Sequence, residues 1–145
     1  MRLVVQRVKK AEVSVVETGK VIGKINNGLF VLVGVKEGDT KKDAEKLAEK
    51  LSKLRVMADK EGKMNLSVTD VDGEVLAVSQ FTLNADTSKG NRPSFIKAAD
   101  PKLAQEIYEY FVTQLREKGI KVETGSFGAY MGIEAELDGP VTIII

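Results

Sequence analysis

The chain has 145 residues, an ordinary apolar share of 43%, and 22 lysines and arginines against 21 aspartates and glutamates. This suits one compact domain spanning 1–145 and argues against broad adhesion to nucleic acid or anionic membrane. It contains no cysteine and no histidine, so disulfides, thiolate nucleophiles, Ser-His-Asp and Cys-His catalysis and the usual zinc hydrolase are excluded. Hydroxyls, carboxylates, amines, backbone amides or the substrate itself remain for any chemistry.

The N-terminal Met1-Arg2-Leu3-Val4-Val5-Gln6-Arg7 interrupts its apolar residues too early for a signal-peptide core, and no run approaches membrane-spanning length. A soluble, cytoplasmic chain is expected. Apolar positions at Leu3, Val5, Val13 and Val15, a turn at Glu17-Thr18-Gly19-Lys20 and the run Val21–Ile25 predict a hairpin. Asn26-Asn27-Gly28 contains the pair favoured by two-residue turns, so a second turn is expected before Leu29–Val35, whose unbroken apolar character marks a strand buried on both faces.

Thr40-Lys41-Lys42-Asp43 can cap a helix whose apolar face runs through 44, 47, 48, 51, 54 and 58. Asp72-Gly73 then turns the chain into a predicted strand, Glu74–Thr82, with Ser79 and Phe81 on one face and Gln80 and Thr82 on the other. The stretch from Asn84 to Ala99 has no period and is long for a connection in a compact domain, which marks it as functional. Asp100 as N-cap, Pro101 at the first helical position and a stripe of Leu103, Ala104, Ile107, Tyr108, Phe111 and Leu115 predict a second helix, stopped by Gly119. A glycine-rich segment, Gly125–Gly132, leads to two strands around Gly139-Pro140. The order predicts an α+β domain with a mixed or antiparallel, barrel-like sheet covered by two main helices.

Four places could carry chemistry. Ser79-Gln80-Phe81-Thr82 sits where a buried strand runs out into the long loop and offers two hydroxyls, an amide and backbone N–H groups for an oxyanion. A strand end whose hydroxyls satisfy nearby backbone is the plainer reading. Lys89-Gly90-Asn91-Arg92-Pro93-Ser94-Phe95 suits phosphate contacts from Lys89 and Arg92 and stacking on Phe95, or a solvated turn anchored by that ring. Gly125–Gly132 allows close backbone approach but follows no dinucleotide or phosphate-loop pattern. Glu134 and Glu136 share a strand face as a solvated edge would, and no metal is expected.

The fourth is Asp138-Gly139-Pro140-Val141-Thr142. Proline removes a donor and belongs in a sheet only at an edge, a first position or a bulge, so it is expected to close one strand and open the next. About one X-Pro bond in twenty is cis in folded proteins, so an ordinary trans turn is the default. A cis bond would instead present a rigid pair of main-chain acceptors suited to a cationic group.

Taken together, Ser79–Leu83, Lys89–Phe95, Thr124–Met131 and Gly139–Thr142, with Met1-Arg2 and Gln6-Arg7-Val8 at the start, resemble the D-aminoacyl-tRNA deacylases along the whole chain. The resemblance implies a homodimeric hydrolase that cleaves the ester between a D-amino acid, or glycine, and the 3′-terminal adenosine of tRNA. It also implies a cis Gly139-Pro140 tip that enters the partner subunit's site and excludes L side chains. The implied site comprises Ser79, Gln80, Phe81 and Thr82 for catalysis, Gly139, Pro140, Phe95 and Met131 for substrate contact and chiral rejection, and Lys89 and Arg92 for tRNA, with no cofactor. Two routes stand for the reaction: Thr82 as nucleophile, or water assisted by the ribose 2′-hydroxyl with backbone N–H groups on the oxyanion. One departure is Leu137, where the family usually carries Asn. The competing reading from another class is a non-catalytic module that binds the tRNA 3′ end or a small ligand.

Overall fold

The computed structural model describes all residues, 1–145. In chain order the elements are β1 (Arg2–Val15), β2 (Lys20–Ile25), β3 (Gly28–Gly34), α1 (Lys41–Ser52), β4 (Met57–Ala58), β5 (Met64–Leu66), β6 (Glu74–Ser79), a 3₁₀ turn (Phe81–Asn84), α2 (Pro101–Glu117), β7 (Val122–Thr124) and β8 (Met131–Ile144). β4 and β5 form a small ladder of their own; the other six strands form one sheet.

The predicted hairpin is present, with β1 antiparallel to β2. The turn expected at Asn26-Asn27-Gly28 is not. β2 and β3 both run antiparallel to β1, with Ala11 facing Ile25 and Val8 facing Gly28 in one continuous register. They are two halves of one long partner, and the chain only bends between them. Gly28 has another reason to be glycine: a β-carbon there would lie 1.9 Å from the Glu74 carbonyl oxygen, where β6 approaches.

β3 is parallel to β6 and β6 is parallel to β7, and the two crossovers contain α1 and α2, as parallel pairs require. The sheet is therefore mixed, in the order β2-β1-β3-β6-β7, with β8 paired to β1. β2 also meets β6 and β7, which nearly closes the sheet into a barrel. Alternation along β3 divides the core as the unbroken apolar run predicts. Leu29, Val31 and Val33 join Ala44, Ala48 and Leu51 of α1 and Ile107, Phe111 and Leu115 of α2. Phe30 faces the other way, with Val8, Val13, Ile25, Leu76 and Val78. Each large side chain buried in these clusters contributes about 1.5–3 kcal/mol.

Both helix starts follow their capping signals. Asp43 accepts from the Thr40 N–H at 2.9 Å and its hydroxyl at 2.7 Å, and these bonds hold its carboxyl below the usual carboxylate range. Asp100 accepts from the Lys102 and Leu103 N–H groups. α1 stops at Ser52, short of the pattern through 54 and 58, because the chain leaves the helix to bury Val56 and Met57 in extended form. Leu103, expected on the apolar stripe of α2, is exposed.

The Gly139-Pro140 segment does not separate two strands as expected. Gln6 faces Thr142 and Val8 faces Leu137, so Arg7 alone stands opposite Asp138, Gly139, Pro140 and Val141. It is an enlarged bulge, four residues against one, inside one strand whose flanks keep the same partner on both sides.

Candidate active site

β6, paired with β3 and β7, carries four buried residues, Val75–Val78, and ends at Ser79, three residues earlier than predicted. The Gln80 N–H caps the ladder on the Val33 carbonyl at 2.8 Å, and Phe81–Asn84 coil into the 3₁₀ turn. The predicted two-face alternation therefore fails. Ser79, Gln80 and Phe81 all line the same cleft, which has a volume of about 780 Å³. Buried Asn84 holds the turn from behind, its Nδ2 donating to the Val35 carbonyl at 2.9 Å, and the Arg2 guanidinium donates to the Leu83 carbonyl at 2.8 Å. The Phe81 and Thr82 N–H groups find no acceptor among the chain's backbone hydrogen bonds. Thr82 Oγ1 accepts from Gln80 Nε2 at 2.5 Å.

The floor of the cleft includes Val33, Val78, Ala104, Tyr108 and Phe127. Tyr108 is 4% exposed, and its hydroxyl donates to the Ala77 carbonyl at 2.9 Å. Burial pushes the phenol well above its ordinary range, so it stays a protonated, neutral strut between α2 and β6. Its ring lies 6.1 Å from that of Phe127. The lip is different in character. Phe81 is 58% and Phe95 38% exposed, and the two rings meet edge to face at 5.1 Å. Met131 completes the wall, its sulfur accepting from the Ser126 N–H at 3.3 Å, and Tyr130 stands exposed beside it.

The long loop is closed at its base by two backbone bonds between Asp86 and Ser94, at 2.8 and 2.9 Å. The Asp86 carboxylate accepts from the Ser88 N–H at 3.0 Å and from Lys97 Nζ at 3.3 Å. Those contacts, Ser88 foremost, bring its pKa down to about 2. Lys89 and Arg92 ride on the exposed tip without an ion-pair partner in the chain. Phe95 is no buried anchor for that turn.

The Gly139–Pro140 peptide bond is cis, and Gly139 has φ of 129°, a conformation that favours glycine. Both residues are exposed, and neither lines the chain's own cleft. Arg7 tethers the bulge from behind. Its Nε pairs with the Asp138 carboxylate at 2.9 Å, its Nη1 donates to the Val56 carbonyl at 2.9 Å, and its side chain is only 11% exposed.

Of the residues singled out from sequence, Ser79, Gln80, Phe81, Phe95 and Met131 therefore converge on one cleft. Thr82 follows directly on its lip, Lys89 and Arg92 stand on the adjoining loop, and Gly139 and Pro140 lie apart. Sequence reading missed Tyr108, Ala104 and Phe127 as lining. The two helical residues read as ordinary core of α2, and only their small-and-aromatic mixture beside Ala98 and Ala99 hinted at a cleft wall.

A profile of the D-Tyr-tRNA(Tyr) deacylase family matches residues 4–145. The D-aminoacyl-tRNA deacylase of Aquifex aeolicus is 56% identical over 145 residues, covering 100% of this chain and 97% of that protein. The D-aminoacyl-tRNA deacylase of Brevibacillus brevis is 52% identical over 145 residues, covering 100% and 99%. A solved structure of the c-Myc DNA unwinding element binding protein superposes with a TM-score of 0.92 at 42% identity, covering 100% of this chain and 97% of that one. The match extends through the cleft, its lip and the tethered bulge alike, and the chain belongs to the D-Tyr-tRNA(Tyr) deacylase family of hydrolases.

Proposed function

We propose that this chain hydrolyses the ester between a D-amino acid, or glycine, and the 3′-terminal adenosine of tRNA, releasing the amino acid and free tRNA. The observation that carries the reading is a pair of N–H groups without backbone acceptors, that of cleft-lining Phe81 and that of Thr82 next to it in the chain, in a protein with no histidine or cysteine. Fixed backbone donors stabilise the charge that builds on the carbonyl oxygen as water adds to the ester carbon; each such donor is worth about 10²–10³ in rate. The 2′-hydroxyl beside the ester orients the water and relays its proton to the departing 3′-oxygen, as the carbon–oxygen bond breaks. Thr82 Oγ1, bonded to the Gln80 amide, has a positioning role; a neutral amide is no base for a nucleophile.

Selectivity is assigned to Gly139 and Pro140 of a second copy, in a homodimer that shares its clefts. In support, the tip is exposed and away from its own cleft, and Ile133, Leu137 and Ile144 leave apolar surface along β8. Main-chain carbonyls at the tip hold the α-ammonium and leave no space for an L side chain, a filter that glycine passes. Phe95 and Met131 contact the substrate, while Lys89 and Arg92 take phosphates of the tRNA end.

Matched D- and L-aminoacyl-tRNA pairs test this directly: D and glycyl esters are cleaved and L esters survive. A terminal 2′-deoxyadenosine abolishes cleavage, whereas Thr82→Ala keeps turnover within about threefold. The reverse pair of results makes Thr82 the nucleophile, and tRNA binding without any D-ester cleavage makes the chain a binding module.

A further inference from the structure

The aromatic lining of the cleft reaches the surface at its lip. The aromatic residues divide cleanly: Tyr108 is buried on the floor against Phe127, while Phe81 and Phe95 are 58% and 38% exposed on the lip. An edge-to-face pair 5.1 Å apart leaves ring face uncovered by either partner. On the loop that carries Phe95, Lys89 and Arg92 are exposed and have no acidic partner in the chain, although the same loop pairs Lys97 with Asp86. The double backbone bond between Asp86 and Ser94 holds this segment in shape.

We propose that Phe81 and Phe95 form a stacking platform for the base of the nucleotide preceding the terminal adenosine, with Lys89 and Arg92 on its phosphate. The proposal rests on the deacylase reading above, which puts the adenosine in the cleft. Charge complementarity selects the occupant: rings beside unpaired cations fit a flat base joined to an anion, the combination that single-strand-binding sites use. Stacking needs a base and is indifferent to which one, since every base has a π-face. The protein thus engages the next nucleotide of any tRNA without reading its sequence.

The test titrates the full chain with cytidylyl-3′,5′-adenosine and with the same dinucleotide lacking its cytosine base. Wild-type protein binds the intact dinucleotide about tenfold more tightly, and uridylyl-3′,5′-adenosine binds like the cytidylyl compound. In Phe95→Leu the advantage of the base falls below about twofold. Equal binding of the intact and abasic dinucleotides by wild type overturns the platform without recourse to any variant, as does a Phe95→Leu protein that keeps the full advantage. D-aminoacyl esters of the same dinucleotides separate this from the reading beneath it. Cleavage with no base dependence removes the platform and leaves the deacylase. Base-dependent binding with no cleavage leaves the platform and removes the deacylase.

Discussion

The exit of β6 and the bulge of β8 are both places where a strand gives up its ladder, and they do so in opposite ways. At Ser79–Asn84 the chain coils tightly, backed by Asn84 and Arg2, beside a cleft that α2 and the segment around Phe127 help to line. At Asp138–Val141 the chain loops outward, held from behind by Arg7, and presents exposed backbone away from that cleft. The first region lies against other elements of its own chain. The second is tethered by Arg7 yet leaves Gly139 and Pro140 exposed and outside the cleft lining.

Substitutions that separate the two regions should differ in kind as well as size. The largest effect is expected from Gly139→Ala, where a β-carbon would stand 2.8 Å from the Val141 nitrogen at positive φ. D-ester turnover should fall about a hundredfold, as misplacing a positioning group does, with the thermal midpoint lowered by the strain, about 1–3 kcal/mol; undiminished turnover would separate the bulge from the chemistry. Arg7→Ala should come next. It leaves the Val56 carbonyl unpartnered and frees Asp138, which is 34% exposed, so a loss of about 2 kcal/mol is expected in urea unfolding once screening of the ion pair is discounted. L-ester cleavage should rise as the bulge loosens.

On the other side, Asn84→Ala removes the buried bond to the Val35 carbonyl and should cost about 1–3 kcal/mol. Here D turnover should drop while D/L preference holds, the opposite signature from Arg7→Ala; a change in preference would blur the division. The smallest effect concerns pH. The Asp86 pKa is depressed from 3.8 to about 2, so whatever the carboxylate contributes to the loop is fully present above 3.8 and is lost as pH falls through about 2. Proteolytic nicking at the Lys89–Arg92 tip should accordingly stay flat through neutral and mildly acidic pH.

Much of this was legible in the chain because it is written in local rules. Capping residues at Thr40, Asp43 and Asp100, the proline at 101 and the apolar run at Leu29–Val33 each dictate backbone or burial within a few residues. The absence of histidine and cysteine leaves hydroxyls, carboxylates, amines, backbone amides and the substrate itself for the chemistry. Asn26-Asn27-Gly28 misled for an instructive reason. Its glycine answers a clash with Glu74, which is 46 positions away and invisible to turn statistics. Ser79–Thr82 misled similarly, since alternation assumes a ladder and the pairing with β3 ends at Val33 and Ser79.

By itself, then, the sequence determined the elements, the limits on chemistry and the residues worth suspecting. Only the tertiary structure decided that β2 and β3 serve as one strand, that Tyr108 floors a cleft, and that Gly139-Pro140 is a tethered bulge turned away from the site in its own chain. The physical reason is common to all three. Side-chain pattern encodes a segment's own dihedrals and which face it buries, but pairing partners and cleft walls arise from contacts between distant segments, chosen by the packing of the whole chain.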